Sequence, residues 1–444
     1  MKSLAIKLIL LYLRVLARIQ LKKIKPFVIG VGGASGKTSL SNFIHLILQK
    51  KYRVKQGKGK NSETGMPLDI LGLHVKTNTV SDWLRLLILA PLHALFDFRK
   101  FDIYVAEMGI DSPFEPKNMS YLLRIIKPDI GVLTNISYEH SQQFDPLVEA
   151  KSESQREKDL LDLTTKQEGL LLTSLPVTGF AVLNLDDENI KNLQGEINAV
   201  RITVSANHRQ AAFYIENIQN FVDKFLVVFI YKGKKYKIEI GNPLPKHFAY
   251  SFLLAIAAAT TKGINVENAI DTLESDFSLP AGRMTVFKGI KDTVLIDSSY
   301  NNATLTPILD LLDFVFEIGK QRRRVGVIGD MRELGTMSKA LHEEVAKRIL
   351  KTLDLVILIG PLSQKYIEPI LTKNKFENYS FLNFTQSKKM ILEKIKPKDI
   401  VLIKGSQNTL FLERAVEMLL QDKKDSKKLC RRGEFWEKIR AKTL

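Results

Sequence analysis

The stretch FVIGVGGASGKTSLSNFIHLILQK, residues 27–50, decides the fold. Its apolar start, FVIGVGG, reads as a buried parallel strand, and KTSLSNFIHLILQK reads as the helix it feeds. Between them Gly33 and Gly36 allow a tight backbone path. The N–H groups of such a turn, set at a helix N-terminus, can surround a phosphate. In that reading Gly33, Ala34, Ser35, Gly36, Lys37, Thr38 and Ser39 form the cradle. Lys37 would reach the β- and γ-phosphates, and the Thr38 hydroxyl would face Mg2+. The strict G-x-x-x-x-G-K-[ST] spacing is not met, because Val31 holds the first glycine position. The loop runs G-x-G-G-x-x-G-K-T from Gly30.

Working outward, apolar runs ending in polar residues recur at FDIYVAEMG (101–109), DIGVLTN (129–135), FAVLNLDD (180–187) and RITVSA (201–206). Helix-like segments lie between several of them. This predicts a doubly wound α/β sheet with its ligand at the carboxyl ends of the strands. AAFYIENI and FLVVFIYKGKKYKIEI, the latter with a turn-like Lys-Gly-Lys, read as antiparallel strands. HFAYSFLLAIAAATTKG (247–263) reads as a helix ending at Gly263. A second α/β series follows: TVLIDSSY (293–300), RRVGVIGDM (323–331), DLVILIG (354–360) and DIVLIKGS (399–406). The expected spans are a basic amphipathic helix at 1–25, an ATP-binding domain at 26–279, a second α/β domain at 280–421, and a charged, peripheral tail at 422–444.

Composition narrows the function classes. The 444 residues carry a net charge of +18, which favours anionic partners: nucleotides, acidic metabolites, anionic lipids or nucleic acid. No aromatic-interleaved basic motif of a nucleic-acid module is present, so nucleic acid is not expected among them. The single cysteine, Cys430, excludes a disulfide framework and a multi-cysteine zinc site, and fits a reducing cytoplasm. None of the seven histidines forms an H-x-x-x-H pair, which disfavours a zinc hydrolase. The N-terminal segment carries Lys7, Arg14, Arg18, Lys22 and Lys25 on one helical face, with Leu, Ile, Val and Tyr around the rest. Three readings are open for it: a helix lying on the inner face of an anionic membrane, a helix packed on its own domain, or a spanning helix.

Three further side chains carry candidate chemistry. Glu107 ends a strand, where a carboxylate can hold Mg2+ beside phosphates. His140 follows the strand at 129–135. Lys151, in EAKSE, has no role that chemistry alone would give it, since a lysine there is usually solvated.

Taken in order, the motifs are similar to those of the Mur ligases, over roughly residues 26–421. They are the phosphate loop, NSETGMPLDILG (61–72), EMG (107–109), KPDIGVLTNISYEH (127–140), EAKSE (149–153), VLNLDDE (182–188), PAGR (280–283), DSSYNNAT (297–304), GDMRELG (329–335) with His342 following, and KGS (404–406). The likeness is strongest to the branch that adds D-Ala-D-Ala to a UDP-N-acetylmuramoyl-tripeptide. It implies a P-loop central ATPase domain with a mostly parallel sheet, a C-terminal Rossmann-like domain, and ATP-dependent amide formation through an acyl phosphate in peptidoglycan precursor synthesis. The implied partners are a nucleotide-sugar peptide and a dipeptide, with ATP and two Mg2+ ions. The implied roles give the triphosphate to Lys37 and Thr38, the first Mg2+ to Glu107, and the second to His140 with a carbamylated Lys151. Arg283 and Asp297 would contact ATP from the second domain, and domain closure would exclude water. The alternatives are an amino-acid-polymerising ligase of the same type and a non-catalytic nucleotide-binding scaffold at the membrane. Departures from the family pattern are Ser298 for a carboxylate, Phe248 and Ser251 for two asparagines after His247, and Gln407 for an arginine. Only the basic helix precedes the loop, where the family carries a UDP-sugar domain.

Overall fold

The computed structural model describes residues 2–57, 61–77, 79–137, 143–144, 147–149, 153–300, 305–332, 334, 338–405 and 410–441. The chain divides into two compact units: residues 1–218, 226–238 and 246–277 form the first, and 219–225, 239–245 and 278–444 the second.

The first unit holds strands β1 (Phe27–Gly32), β2 (Val54–Gln56), β3 (Ile103–Glu107), β4 (Ile130–Leu133), β5 (Phe180–Asn184), β6 (Val200–Ser205), β7 (Phe213–Asn220), β8 (Phe225–Tyr231) and β9 (Lys234–Ile240), in the order β2-β3-β1-β4-β5-β6-β7-β8-β9. The six strands from β2 to β6 in this order pair in parallel. β1, β3 and β4 are buried almost throughout, as a sheet covered on both faces requires. The β7–β9 segment is not a separate layer: it extends the same sheet, since β6 pairs with β7. Only Lys232 and Gly233, at φ 49° and 75°, join β8 to β9, and so tight a link can connect only antiparallel strands.

The helices of this unit are α1 (Lys2–Ile24), α2 (Lys37–Leu48), α3 (Gly65–Leu71), α4 (Val80–Phe96), α5 (Met119–Ile125), α6 (Glu153–Thr173), α7 (Glu188–Asn192), α8 (His247–Thr260) and α9 (Val266–Asp276). α2 packs on α8 through rings: Phe43 lies 4.9 Å from Phe252 and 6.2 Å from Phe248, centroid to centroid. Phe248 is therefore a core residue. This explains why an asparagine is not needed there for the helix to pack. α1 rests on α3, α4 and α5, burying Leu10, Leu13 and Ala17. The self-packing reading of the N-terminal segment thus holds along that side, and no helix of the described residues is long and apolar enough to cross a membrane.

The second unit contains β10 (Thr285–Gly289), β11 (Thr293–Ser298), β12 (Arg324–Gly329), β13 (Leu355–Ile359), β14 (Asn378–Phe381) and β15 (Ile400–Lys404), ordered β10-β11-β15-β12-β13-β14. All its pairings are parallel except that of the edge strand β10 with β11. The sequence reading had missed β10 and β14. Both sit at sheet edges, where one side lacks a neighbour and the apolar run is shorter. The tail is not wholly peripheral: Leu429, Cys430 and Arg431 are buried, and Arg431 pairs with buried Glu413 at 2.7 Å.

Candidate active site

β1 lies between β3 and β4, so the strand order reverses at its carboxyl end, where open α/β sheets bind ligands. The glycine-rich loop leaves β1 at that point. Gly33 adopts φ 117° and Gly36 φ 78°, both left-handed. A Cβ on Gly33 would lie 2.2 Å from Thr134 Oγ1, so no other residue fits. Gly33→Ala is expected to destabilise the protein by ~2 kcal/mol or more and to abolish nucleotide binding. A thermal melt and a nucleotide titration check both effects, and unchanged nucleotide affinity would refute the loop's assignment.

The loop is held from behind by the end of β4. Ala34 N–H donates to the Asn135 carbonyl (2.9 Å), Ser35 N–H to Asn135 Oδ1 (3.0 Å), and Thr134 Oγ1 to the Ser35 carbonyl (2.7 Å). That support is itself tied to β5: Asn184 Nδ2 donates to the Thr134 carbonyl and Ile136 N–H to Asp187 Oδ2 (2.7 Å). The motifs TNI and VLNLDDE thus act on the loop through hydrogen bonds.

Lys37 opens α2 and donates to the carbonyls of Gly33 and Ala34 (3.1 Å to the latter). The next residue, Thr38, donates its Oγ1 hydrogen to Glu107 Oε2 at 3.0 Å. Register explains the meeting: Glu107 sits opposite Val31 on the neighbouring strand, just before the loop begins. Glu107 is 3% exposed. Ser39 follows on α2, and Ser251 of α8 would come within 3.9 Å of a Cβ on Gly36.

A carboxylate not read from the sequence also meets the loop. Glu168 of α6 is 3% exposed, and its Oε2 accepts from Gly33 N–H at 3.1 Å. Burial raises its pKa, opposed by the Lys37 charge and the Gly33 hydrogen bond. The signal was present in the sequence. Leu160, Thr164, Glu168, Leu171, Leu172 and Leu175 form the buried stripe of α6 and the turn after it, and one of them is charged. His140 and Lys151 lie outside the described residues.

The remaining candidates belong to the second unit. Arg283 stacks on Tyr300, 5.3 Å from Cζ to ring centroid, and Arg431 stacks on the same ring at 5.2 Å. Asp297, fully buried, accepts from Ser299 N–H (3.0 Å) and Ser299 Oγ (2.6 Å), and burial pushes its carboxyl up to about 6. Asp297 therefore organises the turn that carries Tyr300. Ser298, where the family pattern has a carboxylate, sits opposite Lys404, whose buried ammonium is lowered to about 8. His342 is also buried. Its Nε2 accepts from Met331 N–H (3.2 Å) and its Nδ1 lies 2.7 Å from the Ser338 carbonyl, so it holds the loop after β12.

Oxygen donors of the Thr38–Glu107 kind suit a hard divalent cation. Among the described residues no three His, Cys, Asp or Glu side chains cluster to hold a metal unaided. Mg2+ in phosphate sites needs only one or two carboxylates beside the phosphate oxygens.

Comparison with known proteins agrees with this geometry. Residues 31–155 and 160–259 match the Mur ligase middle domain, and residues 282–407 match the Mur ligase, glutamate ligase domain. Curated relatives named UDP-N-acetylmuramoyl-tripeptide–D-alanyl-D-alanine ligase include one from Bacillus subtilis, 26% identical over 428 residues (92% of this chain, 79% of the relative). Another, from Borreliella burgdorferi, is 24% identical over 404 residues (89% and 75%). Among solved structures, the MurF ligase of Thermotoga maritima in complex with ADP superposes with a TM-score of 0.69 at 21% identity, covering 94% of this chain and 84% of that one. At that identity the superposition speaks for the fold alone. The two domain matches together span most of the sequence, and the chain belongs to the Mur ligase family.

Proposed function

We propose that the protein is an ATP-dependent, ADP-forming carboxylate–amine ligase that adds D-Ala-D-Ala to a UDP-N-acetylmuramoyl-tripeptide in the cytoplasm, as a step of peptidoglycan precursor synthesis. The observation that carries this reading is the Thr38–Glu107 pair beside Lys37 at the carboxyl end of β1, in a chain of this family. The substrate carboxylate attacks the γ-phosphorus, giving an acyl phosphate and ADP. The amine of the dipeptide then attacks the acyl carbon and expels inorganic phosphate.

In this scheme the loop N–H groups and Lys37 bind the triphosphate, Lys37 exchanging its two carbonyl contacts for phosphate oxygens. Thr38 and Glu107 would hold Mg2+, which when bound offsets negative charge on the phosphoryl group. Resemblance offers His140 and a carbamylated Lys151 for a second ion. We assign that second ion to this pair, and assign Glu168 to the support of the loop, through its hydrogen bond from Gly33 N–H and its place beside Lys37. Arg283 is assigned to ATP, and Asp297 to the positioning of Ser299 and Tyr300.

Incubation with Mg-ATP, UDP-N-acetylmuramoyl-tripeptide and D-Ala-D-Ala is expected to release phosphate and form the pentapeptide product. Turnover only with another acid and amine would keep the ligase and remove this acceptor. No turnover with any pair would favour a scaffold.

A further inference from the structure

α1 and α4 share a feature that the ligase reading leaves unused. On α1 the buried row is Leu10, Leu13, Ala17 and Gln20, and the opposite side exposes Leu8, Tyr12, Val15 and Ile19. On α4, Leu86, Ala90 and Ala94 are buried, while Leu84, Ile88, Leu92 and Phe96 stand outward, Ile88 66% and Phe96 68% exposed. The helices pack side by side and parallel, because their contacts advance together. Tyr12 hydroxyl donates to the Leu87 carbonyl (3.0 Å), Lys23 Nζ to that of Ala94 (2.9 Å), and Gln20 Nε2 to that of Asp97 (3.0 Å). On each helix the side that meets the other lies between the buried and exposed rows. Both exposed rows therefore face solvent on one side of the pair. Scattered exposed apolar residues are ordinary, but a contiguous two-helix face of them marks an interaction surface.

Charge identifies the occupant. Lys7, Arg18 and Lys22 are exposed along one edge of the α1 row, Lys25 is exposed just past its end, and α1 contains no acid. Lys23 lies over Phe98 at 4.9 Å. The neighbouring acids, Asp82 and Asp97, are taken up by Arg85 and Arg99. The α1 of a second copy carries the same basic edge and no acid, so it offers that edge no complementary charge. A bilayer with anionic headgroups satisfies both: apolar rows enter the acyl boundary, and the lysines and arginines meet the headgroups.

We propose that α1 and α4 form one docking face for an anionic membrane surface, bound flat and not inserted across it. Leu13 and Leu16 of α1 pack with Leu86, Ala90 and Ala94 of α4 over Leu68, Leu71 and Leu73, which holds α1 against the protein. The expectation from residues 1–25 alone is thereby extended to a second helix, which supplies the more apolar half of the face. The inference does not depend on the ligase reading.

The test is vesicle flotation of the full chain, with phosphatidylcholine alone and with phosphatidylcholine plus phosphatidylglycerol. Binding is expected with the anionic vesicles and not with the neutral ones. It should fall roughly fivefold for each basic residue removed, so Arg18→Ala with Lys22→Ala should weaken it about 25-fold. Ile88→Glu with Leu92→Glu should weaken it at least about tenfold, with α1 intact. All four positions are at the surface, and an unchanged melting temperature and nucleotide affinity verify folding. The proposal fails if anionic vesicles do not bind, if neutral vesicles bind equally, or if the α4 double variant binds as wild type. It also fails if light scattering finds a lipid-free dimer that the α4 variant dissolves, since a second copy would then own the face.

Discussion

Glu107→Ala is expected to lower kcat/KM for amide formation by about a thousandfold or more, equivalent to ~4 kcal/mol of transition-state stabilisation. Glu107 is buried at the end of β3, and its Oε2 accepts the Thr38 hydroxyl at 3.0 Å. Removing it leaves Thr38 without its acid partner and the phosphate site without the carboxylate that would hold a divalent cation. Lys37→Ala should be as severe, for a different reason: it removes the only charged side chain on the phosphate loop. The two losses separate in binding. Glu107→Ala should weaken Mg2+ dependence most, whereas Lys37→Ala should weaken nucleotide affinity even without metal. Calorimetric titration with ATP, with and without Mg2+, reads the difference. Near-wild-type turnover in either variant would remove the phosphate-loop mechanism.

Glu168→Gln gives the second large effect, and its sign differs between activity and stability. Turnover is expected to fall about a hundredfold or more, since the neutral amide no longer offsets the Lys37 charge behind the phosphate loop. Stability without nucleotide should not fall. Gln keeps an oxygen to accept from Gly33 N–H, and burial raises the Glu168 pKa. A raised carboxyl pKa means the group's contribution to stability is complete below its unfolded-chain value and is lost as pH rises through the folded value. Relative to wild type, the variant should gain stability progressively as pH rises above the unfolded-chain carboxyl range, and keep that gain at higher pH, read from melting curves. A merely structural glutamate would give the opposite outcome, lower stability with activity intact. Alongside it, Lys151→Ala should be inactive and partly rescued by a short-chain carboxylate. Full wild-type activity of Lys151→Ala would remove the carbamate.

Much of the site was legible in the sequence because it is local. The loop between Gly33 and Ser39 is a continuous segment whose glycines and strand–helix flanks declare its geometry. Glu107 could be singled out because strand ends converge at the carboxyl edge of a parallel sheet. Other residues were not legible in the same way. Asn135 and Thr134 support the loop through backbone approaches set by the pairing of β4 with β1. Ser251 nears Gly36 only because an aromatic cluster seats α8 on α2.

By itself, then, the sequence determined the α/β class, the phosphate loop and the family, because each rests on short-range periodicity or on motif order along the chain. Tertiary structure decided what long-range packing controls. It brought Glu168 from over 130 residues away onto the loop at 3.1 Å. It buried Asp297 and part of the tail. It also set α4 beside α1, turning two separate amphipathic patterns into one exposed face. The reason is common to all three. Which side of a helix is buried follows from its own spacing, but what that side meets depends on which elements the sheet order makes neighbours.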